Sequence, residues 1–180
     1  MAQRFLLALL VFIGARTAFA FQNEPNGFGK AKLGMTVEDV KKVFPNMKQL
    51  GNPTPETAAL LAVFALENQS VYGLKPCTVS LQFDPQRLYE VMFQCGNDVK
   101  VPDTLKKRFG EPTQAAPNAV FWIGKTTTVS FNPKSRSFAF FDRSLNEAFQ
   151  GRLSKYVIEH QAGRPGQANQ SGPTPQQTPQ

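Results

Sequence analysis

The sequence predicts an α+β domain in which two helix-then-antiparallel-strand units form a sheet packed against helices, with a C-terminal amphipathic helix closing the chain. Three observations carry that expectation. Two short segments with helical apolar spacing and paired lysines occur, one in each half of the chain. Each is followed by strand-length stretches in which apolar and polar residues alternate, the period of a half-buried sheet. A longer helical pattern follows the last of these stretches.

The first residues are read as a targeting segment. MAQRFLLALLVFIGARTAFA, residues 1–20, places Arg4 before an apolar run from Phe5 to Ile13 and ends in Ala18-Phe19-Ala20. That is the layout of a secretory signal cut after Ala20. A run of about ten apolar residues is too short for a span that needs about 20. The expected product is periplasmic or secreted, a single domain over residues 21–160 followed by a tail over 161–180. Position 21 is Phe rather than Cys, so no lipid anchor is expected there.

In GMTVEDVKKVFPN, Thr36 precedes Asp39 at capping-box spacing, an arrangement that satisfies free N–H groups at a helix start. Val37, Val40, Val43 and Phe44 follow at helical spacing, and Pro45 ends the segment. TPETAALLAVFALENQSVYG reads as a short helix from Thr54-Pro55 running into a strand between Val63 and Val71.

CTVSLQFDPQRLYEVMFQC, residues 77–95, reads as a hairpin turning at Asp84-Pro85-Gln86-Arg87. Val79, Leu81 and Phe83 share one face of its first strand; Tyr89, Val91 and Phe93 share one face of the second. Pairing Phe83 with Tyr89, Leu81 with Val91 and Val79 with Phe93 brings both apolar faces together. The same register, dictated by the apolar residues alone, sets Cys77 opposite Cys95. In an oxidising compartment two such thiols form a disulfide. A redox pair would need C-x-x-C or a neighbouring His, and a zinc site would need more ligands than two Cys.

VPDTLKKRFGEP is the second helix, with Pro102 in its first turn, Val101, Leu105 and Phe109 on its apolar stripe, and Gly110 as its stop. Laid over the first helix, it aligns Leu105 with Val40, Lys106-Lys107 with Lys41-Lys42, Phe109 with Phe44 and Gln114 with Gln49. Strands AVFWIG, TTTVSF and RSFAFF follow. SLNEAFQGRLSKYVIEH then carries a capping box from Ser144 to Glu147 and a stripe of Leu145, Phe149, Leu153 and Val157, predicting an amphipathic helix packed on the domain. The tail, rich in Gln, Pro and Gly, has too little apolar surface to offset the entropy of ordering.

Little in the chain points to catalysis. Its one histidine, His160, falls at a helix end, and no G-x-S-x-G, H-E-x-x-H or phosphate-binding glycine loop occurs. Glu38, Asp39 and Asp103 sit at helix starts, where the helix dipole favours carboxylates. No cofactor or metal site is expected. Without Arg4 and Arg16 the 20 basic side chains become 18 against 13 acidic, a net +5. Export and the lack of an aromatic-interleaved basic motif argue against nucleic acid and toward an envelope protein or an anionic polymer. Two features suit binding: a basic helix surface of Lys41, Lys42, Lys106, Lys107 and Arg108, and an aromatic set that includes Trp122, Phe138, Phe140 and Phe141. Aromatics on the sheet face away from the core are either covered by a helix or open to a partner.

FGKAKLGMTVEDVKKVFP, with the later LKKRFGEPT and FWIGKTTTVSF, resembles small bacterial envelope domains of the SmpA/OmlA and β-lactamase-inhibitor-protein-like type, across about residues 28–141. The resemblance implies a helix leading into an antiparallel sheet. It also implies a role either in outer-membrane assembly or as a protein inhibitor presenting its sheet to an enzyme. It assigns no site residue. The expected function is a non-enzymatic protein-binding module of the envelope, an inhibitor or an assembly or maintenance factor; the alternative is a small cell-wall-active enzyme using carboxylates.

Overall fold

The computed structural model describes residues 21, 23–51, 60–96 and 100–161. The leader over residues 1–20, the helix start at Thr54-Pro55 and the tail beyond residue 161 lie outside them. In chain order the elements are β1 (Gly27–Phe28), β2 (Ala31–Lys32), α1 (Val37–Val43), β3 (Lys48–Gln49), β4 (Ala62–Val71), β5 (Leu74–Asp84) and β6 (Arg87–Gln94). Then come α2 (Val101–Phe109), β7 (Gln114–Ala116), β8 (Ala119–Ile123), β9 (Thr127–Asn132), β10 (Ser137–Asp142) and α3 (Arg143–Gln161). The architecture is α+β, with a mostly antiparallel sheet and a C-terminal helix.

β3 to β10 form one eight-stranded sheet in the order β3-β4-β5-β6-β10-β9-β8-β7. The chain walks from one edge to the middle through β6, crosses by way of α2 to the far edge, and walks back to place β10 beside β6. A small β1–β2 hairpin stands apart from this sheet.

Because opposite residues on paired strands share a face, the register defines two surfaces. One row runs Val120, Phe131, Phe138, Phe93, Val79, Leu66; the next runs Trp122, Val129, Phe140, Val91, Leu81, Phe64. Nearly all of these side chains are buried in one core. Val40 of α1 and Val101, Leu105 and Phe109 of α2 enter the same core, as their helical spacing predicts. The β1–β2 hairpin adds Phe28, which meets Phe44 at 5.7 Å and Phe93 at 5.6 Å between ring centroids. Each large side chain fully buried in this way contributes about 1.5–3 kcal/mol.

α1 begins as expected, with the Thr36 hydroxyl accepting from the Asp39 N–H at 3.2 Å. Its approach is fixed by the sheet: Gly34 N–H donates to Leu88 C=O, and Leu88 N–H donates to Met35 C=O. α3 starts differently from expectation. Asp142, the last residue of β10, accepts from the Leu145 N–H at 3.0 Å and from the Ser144 hydroxyl at 2.7 Å. The helix starts earlier than a Ser144 cap allows, because the carboxylate at the strand's end is the stronger acceptor for the first turn. Of the expected stripe only Phe149 is fully buried; Leu145 and Leu153 are half-buried, and Val157 is exposed. α3 also continues through Gln161, the first residue assigned to the tail.

The hairpin requires a second correction. Val79 pairs with Phe93 and Leu81 with Val91, but Phe83 faces Leu88 rather than Tyr89, with a register shift after Gln82. The shift makes Tyr89 an extra residue on β6 and turns it to the other side of the sheet. There its ring stacks on Phe149 of α3 at 4.9 Å. Leu88 takes its place in the core. The Asp84 carboxylate beside the turn pairs with Arg152, so α3 is held at two points. Cys77 and Cys95 form the expected disulfide, with Cα atoms 4.0 Å apart.

Residues at the N-terminal end strap the two halves together. Phe21 packs edge-on against Phe109 at 5.5 Å. The Glu24 carboxylate accepts from the backbone N–H groups of Lys125, Thr126 and Thr127 and from the Thr126 hydroxyl. Gly124 makes room for it, since a Cβ there would overlap the Glu24 carboxyl group. Burial pushes the Glu24 pKa up, but the three backbone donors and the Thr126 hydroxyl outweigh it, and the pKa ends below the usual value. Glu24→Ala is expected to lower the unfolding free energy by about 1–2 kcal/mol in urea titrations at pH 7. Since the folded-state pKa is depressed, this stabilisation is present above the unfolded value of 4.5 and disappears as pH falls through the folded one. The variant and the wild type should therefore converge in acid.

Candidate functional site

The two surfaces singled out in the sequence fare differently. The basic residues remain exposed, but most of them lean on their own surroundings. Lys41 lies over the Phe64 ring at 5.5 Å, and Arg108 over the Tyr72 ring at 5.2 Å. Lys42 pairs with Asp39 at 2.8 Å, and Lys106 with Glu111 at 3.1 Å. The hydrogen bond from Lys42, helped by one from Thr36, draws the Asp39 pKa below its usual value. Exposed pairs of this kind contribute little to stability and stay within reach of a partner. Lys107 is exposed beside them.

Trp122 is not a surface residue. Its side chain is 1% exposed, and its Nε1–H donates to the Gly110 carbonyl at 2.8 Å. The indole thus caps the end of α2, and its facing row places it in the core together with Val129 and Phe140. Trp122→Phe keeps most of the apolar contact but leaves the Gly110 carbonyl without its donor. A loss of about 1–2 kcal/mol in unfolding free energy is expected, read by thermal or urea denaturation.

The sheet's other surface is the distinctive one. Its central row runs Phe121, Ser130, Ala139, Met92, Ser80, Ala65, with serine or alanine at four of six positions where the core rows carry aromatic and branched aliphatic side chains. α3 covers only one end of this face, at Tyr89 and Phe149. Beyond it lies an open groove of about 260 Å³, lined by Glu90, Met92, Phe121, Ser130, Ser137 and Ala139 among others. Among the described residues no other helix packs on this face, and its Ser and Ala positions would give one little apolar area to bury.

Among the described residues, Glu90 is the one ionisable side chain lining this groove. It stands on β6 between Gln82 of β5 and Phe141 of β10. Among the described residues it makes no hydrogen bond and no ion pair. Burial pushes its carboxyl up to about 7. Burial also raises the neighbouring Tyr89 hydroxyl, and the Glu90 charge adds to that shift. Strand alternation already placed Glu90 and Met92 opposite the apolar residues of β6. The sequence did not reveal that Phe141 and Ala139 would flank them, because α2 and three further strands separate β6 from β10 along the chain.

Other candidates do not gather into a centre. His160 is exposed on α3, its ring stacked on Tyr156 at 3.8 Å. Among the described residues no group of His, Cys, Asp and Glu is placed to hold a metal ion. No helix among them is long and apolar enough to cross a membrane.

Comparison with known families matches residues 26–151 to the TP0088 domain, which spans both sheet halves and the first part of α3. The chain belongs to the TP0088 domain family. No curated protein and no solved structure matches it.

Proposed function

We propose that this member of the TP0088 domain family is an exported, non-enzymatic protein-binding module of the bacterial envelope that meets its partner through the open face of its sheet. The observation that carries the reading is the asymmetry of the two faces. One is filled by aromatic side chains under α1 and α2; the other keeps a groove floored by Ser130 and Ala139 with Met92, Phe121 and Glu90 around it. A groove that sets a few polar groups beside apolar walls such as Met92 and Phe121 is what a partner's side chains fill. Export is supported by the leader pattern from Arg4 to Ala20 and by the Cys77–Cys95 bridge, since disulfides persist in oxidising compartments. An inhibitor of a hydrolase and an envelope assembly or maintenance factor both fit this surface, and the SmpA/OmlA and inhibitor-like resemblance favours the same class. Among the described residues the order of one helix and four strands occurs twice, and we read the halves as two copies of one unit joined at β6 and β10.

The test is capture from periplasmic extract by the mature chain, identified by mass spectrometry. A partner lost on Ser130→Arg, which fills the groove, and kept on charge reversal of Lys41, Lys42, Lys106 and Lys107 supports the sheet face. The opposite pattern moves the site to the basic helices. A second reading, a carboxylate-dependent enzyme acting on cell-wall material, draws on Glu90, whose raised pKa suits a general acid. It predicts turnover of peptidoglycan fragments that Glu90→Gln abolishes.

A further inference from the structure

The groove's chemistry narrows what its occupant must carry. The buried or half-buried carboxylates Glu24, Asp84 and Asp142 have internal partners: Glu24 holds the turn before β9, Asp84 holds Arg152, and Asp142 caps α3. Among the described residues Glu90 has none, yet it sits half-buried in the middle of the sheet rather than at a rim. The groups facing it from the adjacent strands are Gln82 and Phe141, both uncharged. On elements packed nearby, Asp84 is already neutralised by Arg152, and Tyr89 is turned toward Phe149.

Resting on the reading of this face as the docking surface, we propose that the groove receives an arginine or lysine side chain presented by the partner protein, with Glu90 as its counter-charge. Charge complementarity favours this occupant over an apolar one. A partner burying Glu90 without a cation would strand a charge, or force protonation of a carboxyl that makes no hydrogen bond among the described residues. A cation instead forms charge-assisted hydrogen bonds, which strengthen as water leaves. The walls suit the rest of such a side chain: Met92 and Phe121 offer apolar contact for an alkyl stem or a ring edge for a guanidinium. Ser130 and Ala139 keep the floor low enough to admit it. Burial pushes the Glu90 carboxyl up to about 7, so a bound cation would also draw it back toward the ionised form. A metal ion is a poor alternative, because among the described residues no second carboxylate, His or Cys lines the groove.

The probe is a displayed library of disulfide-closed random heptapeptides, selected against the intact mature protein at pH 7.5. The expected binders carry Arg or Lys beside an apolar residue, lose binding on Ser130→Arg, and weaken about tenfold or more on Glu90→Gln. Glu90→Gln is also expected to fold more stably than the wild type, so a weakened binder cannot be ascribed to unfolding. Binders blocked by Ser130→Arg but indifferent to Glu90→Gln would overturn the cation and leave the sheet face standing. Binders indifferent to both, or a selection that yields none, would count against the face itself. Self-association in sedimentation experiments that Ser130→Arg abolishes would name a second copy of the chain as occupant and overturn the proposal.

Discussion

Replacing Glu90 with glutamine is expected to raise the unfolding free energy at pH 8 by about 3 kcal/mol. The sign follows from burial. The folded-state carboxyl titrates at about 7 against 4.5 for an ordinary glutamate, so the native state holds its proton more tightly than the unfolded chain. The contribution of the protonated group is complete below pH 4.5 and is lost as pH rises through about 7, where the charge must be carried without a partner. Glutamine keeps the shape and removes the ionisation. Urea unfolding of both proteins across pH 4 to 8 should give curves that meet in acid and separate steadily toward neutral pH. Parallel curves would mean that Glu90 is solvated in the folded state, and the groove would lose its electrostatic character.

Converting Cys77 and Cys95 together to serine is expected to lower stability by about 3 kcal/mol, since the bridge closes a loop of 18 residues. The position of the bridge sharpens its role. It extends the β5–β6 ladder just past the Thr78–Gln94 pair, and on its other side Cys77 faces Gln69, between two register shifts of β4. There the backbone ladder is irregular, and the covalent bond holds the end of β5 in register. The wild type in reductant should unfold at the same urea concentration as the double variant. The intact oxidised protein should weigh two protons less than the reduced one. Two free thiols in protein recovered from an oxidising compartment would defeat both expectations.

How far the fold could be read beforehand depended on how local each feature is. Thr36 caps α1, and Val40, Leu105 and Phe109 are buried, because a helix's period and its first-turn donors are properties of one short run of consecutive residues. Val79 and Leu81 face Phe93 and Val91 because a short turn ties the two strands together. Tyr89 escaped the same logic: an extra residue in β6 reverses its side, and what rewards the reversal is Phe149, on the last helix of the chain. Ser144 lost its place as the cap to Asp142, which local spacing cannot separate from the strand before it. Trp122 looked available to a partner for want of knowing that the end of α2 would lie against it and offer the Gly110 carbonyl.

From the sequence alone came the α+β class, the hairpin with its disulfide, and the helix faces that enter the core, since these follow from side-chain periodicity along single segments. Only the tertiary structure decided which side of the sheet stays open and which charge stands in it. Those depend on β10 pairing with β6 and on α3 stopping short of the central row, and pairing between distant strands leaves no period in the sequence of either one.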